Sequence, residues 1–69
     1  MENKDIFLDY LRNEIKNLEK EELKITNKIT KENNSGFPDF YKLNKLMVEK
    51  EKIKFAITKL YQLIGGFNL

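Results

Sequence analysis

Apolar residues recur at alternating steps of three and four in both halves of the chain. In the first half, these positions are Leu8, Leu11, Ile15, Leu18, Ile25 and Ile29. In the second half, they are Leu43, Leu46, Ile53, Ile57, Leu60 and Ile64. Steps of three and four keep side chains on one face of an α-helix, whereas no stretch alternates with the period of two that is typical of strands. The pattern therefore predicts an all-α protein with two amphipathic helices.

A single turn signal, Asn33–Pro38, separates the two halves. Asparagine and glycine tolerate left-handed backbone angles, and proline suits the first turn of a helix. We therefore predict an antiparallel two-helix hairpin folded about Gly36, in which position 8 faces 64, 15 faces 57 and 29 faces 43. The two apolar series meet between the helices with heptad spacing, and we call this contact the seam.

The helix limits follow from candidate capping residues. We predict a single domain over residues 1–69, with helix one at about 4–33 and the turn at about 34–37. Helix two is predicted at about 38–64 and a tail at 65–69. Asn3 or Asp5 can cap helix one, and Asp39 suits the positive end of helix two. Gly65 and Gly66 are expected to end helix two.

Two charged residues interrupt the seam, Glu22 in helix one and Lys50 in helix two. Each lies fourteen residues from Gly36, so the fold brings them face to face. A polar layer in an apolar seam commonly fixes helix register at some cost in stability. We therefore interpret Glu22 and Lys50 as a cross-hairpin ion pair that sets the register. A catalytic carboxylate beside a lysine is the alternative, and no second acid or nucleophile accompanies it.

The second helix carries another stripe on the side away from the seam. Its members are Tyr41, Lys45, Val48, Lys52, Phe55 and Lys59. Other apolar residues, including Met47 and Tyr61, widen this surface. A wide apolar face on a small hairpin must be covered, so we expect a homodimer that forms a four-helix bundle. The alternative is that Tyr41, Val48, Phe55, Met47 and Tyr61 contact a different protein.

The lysines of the stripe support a second alternative. Lys45, Lys52 and Lys59 could follow the phosphates of RNA or single-stranded nucleic acid while neighbouring aromatic rings stack on bases. Residues 40–69 contain six lysines and two glutamates, whereas residues 1–39 contain seven basic and nine acidic residues. Helix two is therefore the basic helix. It has no arginine, the usual residue for bidentate or stacking contacts with nucleic acid.

The composition disfavours an enzyme. The 69 residues include no cysteine and no histidine, so disulfides, thiolate ligands and imidazole groups are excluded, and we expect no metal or cofactor. The longest apolar runs are too short for a membrane span or the core of a signal peptide. We expect a cytoplasmic, non-catalytic regulator or adaptor that acts by protein–protein interaction.

The layout of two heptad helices of similar length resembles Rop-like plasmid copy-control proteins. Their hairpins pair into a four-helix bundle whose exposed helical face binds an RNA pair. The resemblance is one of architecture and implies a dimeric bundle, and it transfers no binding residue to this chain. The Ser-Gln-Glu-Leu-Asp motif of another hairpin family, the small sporulation phosphatases, is absent.

Overall fold

A computed structural model describes the backbone of residues 2–68 and the side chains of residues 5–66. The chain forms two helices, α1 (Glu2–Asn33) and α2 (Phe40–Asn68), which pack against each other as an all-helical hairpin. The hairpin is elongated, with principal extents of 55 × 15 × 12 Å. No helix within the described part is long and apolar enough to cross a membrane.

The predicted seam is the contact between the helices. Every position of both apolar series, together with Glu22 and Lys50, is buried or half-buried. The most buried side chains lie toward the two ends of the hairpin. These are Leu8, Leu11 and Ile15 near the open end and Leu43 and Leu46 near the turn. The middle of the seam is only half-buried, because each helix has just one neighbour to cover it.

The start of α2 is fixed by a side-chain cap. Asp39 Oδ1 accepts hydrogen bonds from the backbone N–H groups of Tyr41 (3.0 Å) and Lys42 (3.2 Å). The Leu43 N–H donates to the Asp39 carbonyl at 2.9 Å, which is the first helical bond. Asp39 is therefore the N-cap, and α2 begins at Phe40 and not at Pro38 as predicted. The prediction that Asp39 lies at the positive helix end is confirmed.

Two other predicted boundaries, the start of helix one and the end of helix two, differ in the structure. Helix α1 already includes Asn3 and Asp5, so neither residue lies before its first turn as a cap. Helix α2 continues through Gly65 and Gly66, so the predicted end at Ile64 is wrong. The reason is that no described residue, glycine or other, adopts a positive φ, and a glycine ends a helix by adopting that conformation. The tail predicted at 65–69 is helical as far as Asn68, and the side chains of residues 67–69 lie outside the described ones.

The turn at Gly36 is also made without left-handed backbone. The Asn34 N–H donates to the Thr30 carbonyl at 3.0 Å, and the Ser35 N–H donates to the Glu32 carbonyl at 3.2 Å. The Ser35 hydroxyl donates to the same Glu32 carbonyl at 2.8 Å. These bonds satisfy free carbonyls at the C-terminus of α1, which is the task that a left-handed glycine usually performs.

Candidate interaction surfaces

The stripe predicted on helix two is exposed along its length. Tyr41, Val48 and Phe55 are 74%, 47% and 64% exposed. They follow one another at seven-residue intervals, so at about 100° per residue they lie on one line, about 180° from the centre of the seam. We call this stripe the outer face, and it consists of Tyr41, Lys45, Val48, Lys52, Phe55 and Lys59. Each of its three apolar side chains is exposed on the side of α2 away from α1.

Two lysines of the outer face lie above its aromatic rings. The Lys45 ammonium is 5.6 Å from the ring centroid of Tyr41, and the Lys59 ammonium is 5.2 Å from that of Phe55. Both pairs are four residues apart, the spacing at which side chains meet on a helix. Cation–π contacts at such exposed sites are worth about 0.5–1 kcal/mol, and they place an ammonium group over one side of each ring.

The outer face carries positive charge that the chain does not neutralise. Among the described side chains, neither Lys45, Lys52 nor Lys59 has a carboxylate oxygen within 4.0 Å. Glu49 is four residues from Lys45 and three from Lys52, but no ion pair within 4.0 Å joins it to either lysine, and Glu51 pairs with Lys54 at 3.9 Å. The face is therefore both apolar and cationic.

A shallow groove lies on α2 beside the outer face, between the line of Val48 and Phe55 and the line of Met47. Its surface is mostly apolar. Its lining residues are Met47, Val48, Glu51, Lys52, Lys54, Phe55 and Thr58. All of its lining residues belong to α2, so it is an open strip on one helix against which the apolar face of a partner helix can pack.

A second exposed apolar row, which we call the side face, consists of Phe40, Met47 and Tyr61. Their side chains are 78%, 56% and 54% exposed. Their spacings of seven and fourteen residues place them on one line, about 90° around α2 from the seam. Tyr61 shares a shallow depression with Ile15 and Arg12 of α1, so the side face is continuous with the edge of the seam.

The predicted ion pair between Glu22 and Lys50 does not form as a direct contact. Both side chains are half-buried at the seam, as predicted. No ion pair within 4.0 Å joins them among residues 5–66. At the half-exposed centre of a two-helix seam, both charged groups can reach water and need not pair. A register-setting role for the two residues stays a prediction.

The polar contact that does join the helices was missed by the sequence analysis, and it centres on Glu32. Glu32 Oε2 accepts the Asp39 N–H at 3.1 Å, and Oε1 lies 3.3 Å from the Lys42 ammonium. The Asp39 hydrogen bond, followed by the one from Lys42, holds the pKa of Glu32 below its ordinary value of 4.5. The sequence did contain a signal for this contact. Glu32 and Lys42 each lie five residues from Phe37 in the turn, so a hairpin brings the two side chains to the same level.

No metal-binding group of three or more acidic, cysteine or histidine residues occurs among the residues that the structure describes. Comparison of the chain with protein-family models, with curated proteins and with solved structures finds no match. The surfaces of α2 and their charge are therefore the basis for a functional argument.

Proposed function

We propose that this chain is a small non-catalytic regulator or adaptor that binds another protein as a dimeric four-helix bundle. The observation that carries the proposal is the distribution of exposed apolar residues on α2. The side face and the outer face together expose six large side chains along one helix: Phe40, Tyr41, Met47, Val48, Phe55 and Tyr61. Helices that are apolar on most of their circumference are normally covered by other helices.

The two faces suit two different contacts. In a square four-helix bundle, each helix has its neighbours about 90° apart around its own axis. In α2 the seam points to α1, so the side face, about 90° away, is suited to a helix of a second hairpin. Pairing there would also cover the half-buried middle of the seam. The outer face would then point away from the bundle and remain accessible to a partner.

Nucleic-acid binding is the second candidate function. The observation in its favour is the alternation of Lys45, Lys52 and Lys59 with aromatic residues. Against it, bases bind aromatic residues by stacking on the ring faces. Lysines of the same helix already cover one face of Tyr41 and one face of Phe55. The geometry therefore favours a protein partner.

The experiment is a tagged pull-down from native lysate, with and without nuclease, using the wild type and Val48→Asp/Phe55→Asp. The matched control is Asn13→Asp/Asn17→Asp, which adds the same charge at exposed positions of α1. The proposal expects one stoichiometric protein that survives nuclease, is kept by the control and is lost with the α2 variant. Recovery of nucleic acid alone, in a nuclease-sensitive form, would contradict it.

A further inference from the structure

We infer that the outer face of α2 binds an acidic amphipathic helix of its partner protein. The inference rests on the proposed protein-binding function and specifies the chemistry of the partner. It depends on three features of the outer face: its unpaired lysines, its line of apolar side chains and the positions of its ammonium groups.

The spacing of the lysines defines what the partner must supply. Lys45, Lys52 and Lys59 are seven residues apart, which is about 10.5 Å along the helix axis. Because none has a carboxylate within 4.0 Å, each is available to an incoming acid. A partner helix with Asp or Glu at seven-residue intervals places one carboxylate near each ammonium group. Opposite charges at such spacing also select a partner by excluding basic surfaces.

The apolar residues between the lysines define the rest of the partner. Tyr41, Val48 and Phe55 form a line with the same seven-residue period, and the groove beside Val48 and Phe55 is open. An amphipathic helix fills such a groove with large apolar residues on one face. The predicted partner segment therefore combines an apolar stripe with a flanking acidic stripe.

A second copy of this chain is a poor occupant of the outer face. In a two-fold symmetric dimer the same patch meets itself. Each copy would bring three lysines and one neighbouring acid without an ion pair, Glu49, to the contact, so most of the charges that meet would be positive. Like charges across an interface destabilise it. Charge therefore assigns the outer face to a different molecule.

The cation–π contacts favour an acidic helix over RNA. The ammonium groups of Lys45 and Lys59 lie 5.6 and 5.2 Å from the ring centroids of Tyr41 and Phe55, on the solvent side of α2. A carboxylate can approach each ammonium from solvent without displacing it from the ring. A base that stacks on the covered side of a ring must first remove the lysine.

The experiment selects partners directly from a displayed library of amphipathic helices of about 25 residues. The library has fixed apolar positions and randomised flanking positions. It is panned on the wild type, on Lys45→Glu/Lys52→Glu/Lys59→Glu and on a charge-matched α1 control. The control is Lys20→Glu/Lys24→Glu/Lys28→Glu, which reverses three exposed lysines of α1, none of them on the outer face. Binding of a labelled 20-nucleotide oligouridylate is measured in parallel.

The inference predicts enrichment of Asp and Glu at seven-residue intervals on the wild type and on the control. The α2 variant should select Lys or Arg at those positions instead. It should bind the acidic helices at least about tenfold more weakly, from the loss of three ion pairs and the added repulsion.

Four results would overturn the inference. Helices without acidic enrichment, or helices that bind all three proteins equally, would exclude the acidic partner while leaving the protein-binding function intact. Salt-sensitive binding of the oligouridylate with no selected helix would overturn both. Failure of both probes to bind would overturn the inference alone, because the pull-down tests the wider function independently.

Discussion

Leu11 provides the sharpest test of the packing within the hairpin. Its side chain is 2% exposed, the lowest value among the buried core residues. Leu11→Ala removes three buried carbon atoms at about 0.8 kcal/mol each and leaves a cavity, for a total loss of about 3 kcal/mol. The matched control is Ile6→Ala on the same helix, where the side chain is 66% exposed and the expected loss is below about 1 kcal/mol.

The free energy of unfolding is measured by urea denaturation, followed by far-ultraviolet circular dichroism. All three proteins are compared at one concentration, because dimer formation would make the apparent stability concentration-dependent. If the same proteins are unfolded by heating instead of urea, a loss of about 3 kcal/mol should lower the Tm of Leu11→Ala by roughly 12–24 °C. If the two variants lose stability equally, or if Leu11→Ala loses less than about 1 kcal/mol, the open end of the seam is not packed as described.

Three further predictions concern the helix ends and the turn. Asp39→Ala should lower the free energy of unfolding by about 1 kcal/mol in the same assay, since two N–H groups lose their acceptor; an unchanged value would exclude the cap. Glu32→Gln should be less stable than the wild type at pH 7. This difference should disappear as pH falls below 4.5 through the lowered pKa of Glu32, and a pH-independent difference would contradict the contact. Gly65→Ala should raise stability by about 0.5–1 kcal/mol, because an added Cβ meets no atom within 4 Å; destabilisation would restore the predicted end of α2 at Ile64.

The seam could be predicted because its information is repeated along the chain. Twelve apolar positions at heptad spacing specify the same faces, and all of them are buried or half-buried in the structure. An error at one position would not have changed the prediction. The exposure of Tyr41, Val48 and Phe55 followed from the same periodicity, because residues about 180° from the seam cannot contact α1.

The helix ends depended on single residues and were predicted less well. Gly65 and Gly66 were read as a stop because glycine often adopts a left-handed conformation, but a glycine with negative φ continues a helix. The Glu32 contacts with Asp39 and Lys42 were not predicted, because Glu32 is polar and follows Ile29, the last apolar position of the first series. Glu22 and Lys50 were correctly placed at the seam, but the sequence does not specify whether two half-exposed charges touch.

The mass in solution tests the division of α2 into two faces most directly. Sedimentation equilibrium is measured for the wild type, for Met47→Glu/Tyr61→Glu and for Val48→Glu/Phe55→Glu. The account predicts twice the chain mass of 8.3 kDa for the wild type and for the outer-face variant, and 8.3 kDa for the side-face variant. A wild type at 8.3 kDa, or a dimer that dissociates only when Val48 and Phe55 are changed, would contradict it.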